Sequence, residues 1–384
     1  MSYTPLTLGF QDAVDGPASR LEASARFPDG RELPLWFQSG DCELTPTGNA
    51  LFCAGYLPAM RLAEGLRIEN PVCPHLREGA GAVADLFTCW HPGAFHRVEL
   101  SMETAPPRSR SYQGGAAAFF TGGLDSCHTL LKHREEIDTL LYVHGFDLRL
   151  ENQALRREVS AHLRSAAREF GKRLIEVETN LMELPNQAGL HWGYLAHGAA
   201  LATVAHLLEH ELERIYIPAS SHLHRLIPFG SHPLLDPLWS SAGLRFFHDG
   251  CEASRFAKAE QVARSPESLR ILRVCWENRG NQYNCGECEK CIRTMMHLEA
   301  LDALERCPTF PHRFSRALFD TVDLSREAVR LFYEQTLDDL RARNLAPAIQ
   351  EMLRERLDPP PSPAPPGRAG RMVKRVSGMF WKRG

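Results

Sequence analysis

Between Ala116 and His133 the chain reads AAAFFTGGLDSCHTLLKH, and no other stretch narrows its fold as far. The run Ala116–Phe120 is short, unbroken and apolar, which suits a strand buried on both faces of a sheet. Gly122 and Gly123 then let the backbone turn sharply and approach a bound group with no Cβ in the way. A helix starts directly after, so its unpaired N–H groups and partial positive charge face the turn. Thr121, Gly122, Gly123, Leu124, Asp125 and Ser126 therefore form a candidate anion-binding loop. Asp125 and Ser126 stand where they cap the helix or reach the anion or its metal. The loop is not a Walker A motif, because no G-x-x-x-x-G-K-[ST] follows any strand here. Taken alone, a Gly-Gly turn before a helix is often only punctuation.

The surroundings repeat the strand–helix theme. Ala116–Phe120, Thr139–His144, Arg173–Val177 and Arg214–Ile217 read as apolar strands, with helical runs between them starting near Ala154 and Trp192. That alternation predicts an α/β fold over residues 111–300, with a parallel five-stranded sheet and helices on both faces. Residues 1–110 read as a small α+β N-terminal domain: Leu21–Phe27, Leu33–Gln38 and Arg97–Met102 alternate apolar and polar residues, beside a helix near Gly81–Trp90. Residues 301–357 read as a helical extension, with three- and four-residue apolar spacing in EAVRLFYEQTLDDL and APAIQEMLRERL. The last stretch, 358–384, holds six prolines between Pro359 and Pro366, then six Lys/Arg and no acid. It predicts a Pro-rich, basic, disordered tail, whose aromatics beside basic residues also suit a weak contact with an anionic surface.

Composition excludes several classes. Lys and Arg number 44 against 47 Asp and Glu, a formal charge of −3, so the chain as a whole is not built to bind nucleic acid. No apolar run reaches the roughly 18 residues of a membrane span. The opening MSYTPLTLGFQDAVDG lacks the basic-then-apolar pattern of a secretory signal. Eleven cysteines, with four crowded into residues 275–291, point to a reduced, cytoplasmic protein with a metal site. Cys275, Cys285, Cys288 and Cys291 are spaced C-x9-C-x2-C-x2-C, and the two-residue gaps let neighbouring thiolates turn back onto one ion, eased by Gly286. Four sulfurs so spaced suit a closed, tetrahedral, structural Zn²⁺, with an iron–sulfur cluster as the alternative. The other seven cysteines, Cys251 and Cys307 among them, read as small buried hydrophobes.

Thr121–Ser126 resembles the S-G-G-x-D-S loop of the PP-loop ATP pyrophosphatase superfamily, with Thr in place of the first Ser. The resemblance implies a PP-loop nucleotide α-hydrolase-like fold. It also implies ATP and Mg²⁺ at the loop, adenylation of a substrate with loss of pyrophosphate, and displacement of AMP by a nucleophile. Taken with the four cysteines, the loop is similar to that of the queuosine-pathway group of 7-cyano-7-deazaguanine synthases, which turn a carboxylate into a nitrile with ATP and ammonia. Lys258, in Cys251-EASRFAKAE-Gln261, matches that group's lysine approaching the nucleotide. The implied catalytic residues are thus Asp125, Ser126 and Lys258, and the implied partners are a small carboxylate and ammonia or another nitrogen donor; a homodimer is a separate expectation that does not rest on the resemblance. The resemblance spans about residues 114–300. It departs where the group has a Tyr-Pro-Asp-type substrate segment and this chain has Ile227-PFGSHPLLDPLW-Ser240, so the substrate is free to differ. Two other readings stand beside it: the same activation used to attach a deazapurine or other small acid to a protein or glycan, and a nucleotide-binding partner protein without turnover.

Weaker signals complete the reading. His206-LLE-His210 fits an H-x-x-E-H zinc pattern, but its helix lies away from the strand C-termini. Gly79-AGAV-Ala84 mimics a dinucleotide fingerprint, yet Arg77-Glu78 rather than a strand precedes it. Ser220, Ser221, His222, His224, Arg225, Ser231, His232 and Asp236 follow the fourth strand, where open α/β sheets bind ligands; the plain alternative is a polar surface loop. Asp147, after the second strand, is either a contact to adenine or ribose or a turn residue.

Overall fold

The computed structural model describes residues 4–11, 18–104 and 114–358. The chain divides into two compact units, Met1–Val322 and Asp323–Gly384. The expected tail from Pro359 onward and the stretch 105–113 lie outside the described residues.

The first unit is built on one ten-stranded sheet. Its strands are β1 (Leu6–Phe10), β2 (Arg20–Arg26), β3 (Glu32–Ser39), β4 (Gly65–Val72), β5 (Glu99–Thr104), β6 (Gly115–Phe119), β7 (Ile137–His144), β8 (Arg173–Thr179), β9 (Leu212–Pro218) and β10 (Arg245–Asp249). They lie in the order β10-β9-β6-β7-β8-β3-β2-β1-β4-β5. The strands from β10 to β8 pair parallel throughout. This is the five-stranded parallel sheet the sequence predicts, including a fifth strand, β10, that its pattern does not mark. The expectation of a sheet limited to five strands is nevertheless wrong. Beyond β8 the sheet continues through β3, paired antiparallel, into the N-terminal strands. That join is short, Phe37↔Thr179 to Ser39↔Val177, and side chains lock it. Ser39 Oγ donates to the Glu176 carbonyl at 2.9 Å, the Glu176 N–H donates to Asp41 Oδ2 at 2.9 Å, and Asn180 accepts from the Trp36 N–H at 2.9 Å.

The helices of this unit are α1 (Gly48–Leu62), α2 (Pro74–Trp90), α3 (Leu124–Lys132), α4 (Gln153–Phe170), α5 (Glu183–Gln187), α6 (His197–His206), α7 (Arg255–Ala263), α8 (Pro266–Ile271), α9 (Glu289–Ala300) and α10 (Arg316–Asp320). Both faces of the parallel strands are covered, because residues of both parities are buried along β6 and β7. On one face Ala117, Phe119, Leu141, Val143, Ile175 and Val177 join a core that includes α1 and α6. On the other, α3 packs on β6 and β9 and α4 on β8. α4 is well signalled locally: Asn152 accepts from the Leu155 N–H at its start, and Gly171, at φ +67°, ends it in the left-handed conformation. α1 is also capped, Thr47 Oγ1 accepting from the Asn49 N–H at 3.2 Å, but its interior carries no helical signal. It is buried on nearly every side from Gly48 to Met60 and carries Pro58 inside it, so it shows no amphipathic period.

The second unit holds α11 (Glu327–Arg343) and α12 (Pro347–Leu357), which pack on each other. Asn344, at φ 53°, turns the chain between them, and Gln350 Nε2 donates to the Leu345 carbonyl at 2.9 Å.

Candidate functional site

The sheet reverses its winding between β6 and β9, and open α/β sheets bind ligands beyond the strand C-termini at such a point. Two loops meet there, Thr121–Ser126 after β6 and the segment from Ala219 after β9. Gly122 has φ +69°, a conformation that glycine adopts without strain, and an added Cβ would lie 3.1 Å from the Ile271 carbonyl oxygen. Gly123 opens α3 with no side chain capping it. The expectation that Asp125 or Ser126 caps this helix is therefore corrected. Ser126 Oγ donates back to the Gly123 carbonyl at 3.0 Å, and Asp125 points to cations instead. The Gly123 N–H donates to Thr121 Oγ1 at 3.3 Å, and among the described residues no side chain takes the N–H groups of Leu124, Asp125 or Ser126.

Asp125 sits at the centre of a cationic cluster. Its Oδ1 accepts from Lys258 Nζ at 3.1 Å and its Oδ2 from Arg255 Nη1 at 3.1 Å. Arg255 and Lys258 lie three apart on α7 and so share a face. Burial pushes the Asp125 carboxyl up, but the positive charges of Lys258, Arg255 and Lys290 more than reverse this and hold it well below the usual carboxylate range. Burial and the Arg255 charge push the Lys290 ammonium down, against the opposing pull of Asp125 and Asp147. One carboxylate thus faces three cations. Lys258 is 2% exposed and also donates to the Ala219 carbonyl, while Arg255 keeps Nε and Nη2 buried with no hydrogen-bond partner. Buried polar atoms without partners are uncommon, and here they sit where an anion would satisfy them. Asp147 itself is exposed in the loop after β7, where its carbonyl accepts from Asn278 Nδ2 at 3.3 Å.

The four cysteines form the second part of the site. The Sγ atoms of Cys275, Cys285, Cys288 and Cys291 all lie within 4.8 Å of one another, and all four residues are buried. The Cys288 N–H donates to Cys285 Sγ at 3.3 Å. Hydrogen bonds from Cys288 and Cys291 hold the Cys275 thiol well below its ordinary value. A closed, buried set of four sulfurs at this spacing fits one tetrahedral Zn²⁺. The knuckle also braces the glycine loop. Asn284 Oδ1 accepts from the Val274 and Cys275 N–H groups at 2.9 and 3.2 Å, and the Arg273 N–H donates to the Gly122 carbonyl at 2.9 Å. Lys290, between Cys288 and Cys291, is carried to Asp125 by the same turn.

After β9 the polar cluster divides. Ser220, Ser221, Ser231 and His232 line a small cleft with His197 and His248. His222 and His224 are not among its lining residues and pack on each other with their rings tilted, centroids 4.9 Å apart. Asp236, fully buried, accepts from Ser231 Oγ at 2.6 Å and lies 2.7 Å from His248 Nδ1. Burial pushes the His248 imidazole down, but hydrogen bonds to Asp236 and Cys251 outweigh it and raise it to about 9. His197, Arg255, Lys290 and His248 are site residues that no motif singles out; only the three-residue spacing of Arg255 from Lys258 signals one of them. The H-x-x-E-H match joins nothing metallic. His206 Nε2 meets the Trp239 carbonyl at 2.9 Å, His210 meets Thr45 Oγ1 at 2.9 Å, and Glu209 accepts from Asn49 at 2.8 Å. Gly79–Ala84 lies within α2, as helix composition. Of the other cysteines, Cys89 is exposed and Cys42 half-buried, against the expectation that all seven are buried.

No family model, curated protein or solved structure matches the chain. Among the described residues no helix is long and apolar enough to cross a membrane.

Proposed function

We propose that the protein is an ATP-dependent adenylating enzyme of the PP-loop type, which activates a small carboxylate or amide-like oxygen with release of pyrophosphate and then joins the activated carbon to nitrogen. The observation that carries this reading is the excess of cations around Asp125, buried Lys258 among them, with the guanidinium Nε and Nη2 of Arg255 buried and lacking partners beside a helix N-terminus with no side-chain cap. Such a place takes a polyphosphate better than any neutral ligand. In this reading Thr121–Ser126 encloses the β- and γ-phosphates, Lys258, Arg255 and Lys290 neutralise charge on the departing pyrophosphate, and Asp125 orients them. Mg²⁺ would supply further charge neutralisation at the phosphates, and the carboxylate of Asp125 is the donor at hand. Zn²⁺ at the knuckle would be structural, keeping Gly122 and Lys290 in position. In this reading the acid to be activated would approach from the side of Ser220 and Ser221, which line the small cleft after β9.

The resemblance to 7-cyano-7-deazaguanine synthases makes a deazaguanine carboxylate the first acid to test and ammonia the first nitrogen donor. Leu223, Ile227 and Leu234, exposed on the segment that lines the cleft, favour a second reading in which the activated acid passes to an amine of a protein or glycan. ATP consumption decides the matter. AMP and pyrophosphate are the expected products, and Asp125→Ala is expected to abolish them. ADP as sole product, or full activity in that variant, would falsify the assignment.

A further inference from the structure

The segment that follows β9, Ser220–Phe229, is held mainly at its two ends. At the near end Ala219 is pinned on both sides: its N–H donates to the Asp249 carbonyl at 2.7 Å, and its own carbonyl accepts from Lys258 Nζ. At the far end the Gly230 N–H donates to the Gly193 carbonyl at 3.2 Å, and the Gly230 carbonyl accepts from the Gly198 N–H at 3.0 Å. An added Cβ on Gly230 would lie 2.9 Å from the Leu195 carbonyl carbon, so this end fits closely. Between the ends, among the described residues, the backbone makes one hydrogen bond to the rest of the unit, from the Leu223 N–H to the Cys251 carbonyl at 2.9 Å. The Arg225 N–H bonds within the segment, to the His222 carbonyl at 2.9 Å. Leu223 and Ile227 are 54% and 52% exposed. A stretch with few backbone bonds outward and large apolar residues in water opens at low cost while its ends stay in place.

The space beside the segment gives it a reason to open. The cleft that Ser220, Ser221 and Phe229 form with His197, His232 and His248 encloses about 10 Å³, room for about one water molecule. Its lining is polar nonetheless, with His248 Nδ1 lying 2.7 Å from the fully buried Asp236. The cleft stands beyond the strand C-termini, where open α/β sheets receive ligands, yet no organic acid enters it as the segment lies. The near end also reaches the anion site through a single atom. Lys258 Nζ, which holds the Ala219 carbonyl, donates to Asp125 Oδ1 at 3.1 Å. An ammonium has three N–H donors, so one is left for a bound anion. An anion on it fixes Lys258 further, and with it the carbonyl at the root of the segment.

We propose that Ser220–Phe229 is a lid over the acid-binding cleft, which lifts to admit the acid and is held shut when Lys258 takes an anion at the glycine loop. The inference rests on the adenylation reading, which supplies the acid and the anion. It adds an order to that reading: the acid enters ahead of the nucleotide, and the shut lid then keeps water from the adenylate.

The test is amide hydrogen exchange on the full chain with its metal, read by mass spectrometry of its peptides, with pyrophosphate alone as the probe. In the free protein the lid amides are expected to exchange about a hundredfold faster than those of Ile215–Ile217 in β9. Pyrophosphate is expected to slow the lid amides about threefold or more, together with those of Thr121–Ser126. Leu223→Pro supplies a second measurement, because it removes the one N–H that ties the lid at its middle. His222, at ψ 147°, is extended as a residue before proline prefers, and Leu223 opens a short 3₁₀ turn, so the change fits the backbone. The variant with pyrophosphate is expected to exchange its lid amides about tenfold faster than the wild type with pyrophosphate, at a melting temperature within about 2 °C. Lid amides as slow as those of β9 in the free protein overturn the inference, and so does a Leu223→Pro lid that exchanges like the wild type. Pyrophosphate that protects Thr121–Ser126 and leaves the lid unchanged overturns the lid while keeping the anion site. Pyrophosphate that protects neither segment overturns the anion site, and the coupling through Lys258 with it.

Discussion

Single residues at the site carry opposed charges in little water, and this makes them testable one at a time. Removing the carboxylate of Asp125 leaves Lys258, 2% exposed, without its ionic partner. Breaking a buried pair from one side typically costs about 3–5 kcal/mol, so Asp125→Asn is expected to lower the melting temperature. Pyrophosphate should then restore more stability to the variant than to the wild type, because a bound anion replaces the lost charge. Calorimetry with and without pyrophosphate reads both effects, and equal stabilisation of the two proteins would count against an anion site here. His248 gives a pH signature. An ordinary imidazole titrates near 6.5 and this one is raised to about 9. A group raised on folding stabilises fully below its unfolded value and loses that contribution as pH rises through its folded one. The melting-temperature gap between wild type and His248→Gln is therefore expected to be widest below about pH 6.5 and to close toward pH 9. A gap that widens with pH would show that the Asp236 pair does not hold the proton.

Among the elements, the knuckle and the glycine loop are coupled. The Arg273 N–H holds the Gly122 carbonyl, and Asn284 ties the segment before the first cysteine to the turn between the others. Cys291→Ser is expected to destabilise the fold, since binding energy in a closed thiolate site is folding energy. It should also weaken nucleotide binding, because Lys290 stands beside it. Elemental analysis is expected to find one Zn²⁺ per chain, and iron with a visible absorption band would replace zinc in this account. The loop after β7 offers a backbone test. Gly145 has φ +98°, and an added Cβ would lie 2.1 Å from the Thr179 carbonyl oxygen. Gly145→Ala must therefore separate the ends of β7 and β8 beside Asp147, at a cost of more than the roughly 1–2 kcal/mol of a left-handed residue alone. Thermal unfolding that matches the wild type would show that the two strand ends move apart freely.

At the scale of the whole molecule, the N-terminal strands close an edge that the parallel strands leave open. β3 covers β8 through three residue pairs, and α1 packs on α6. A chain beginning at Gly114 is expected to expose the β8 edge and the α6 face, and so to associate or precipitate, as light scattering would read. A monomeric, soluble fragment would show that the parallel strands fold by themselves. The parallel strands and the four cysteines were legible in the sequence because each rests on local pattern: apolar runs between helices, paired glycines at a strand end, and thiols spaced to turn onto one ion. The single sheet was not legible, because pairing between β3 and β8 joins residues about 140 apart through hydrogen bonds that no local period encodes. α1 stayed hidden because a helix buried on nearly all sides has no polar face to mark its period. Arg255, Lys290 and His248 became site residues only when α7, the knuckle and the end of β10 came together. A charge or a thiol acquires its chemistry from its neighbours, and the chain brings those neighbours from far away in sequence. The sequence by itself determined the parallel strands, the glycine loop and the four-cysteine set; tertiary structure alone decided which cations meet Asp125 and which carboxylate meets His248.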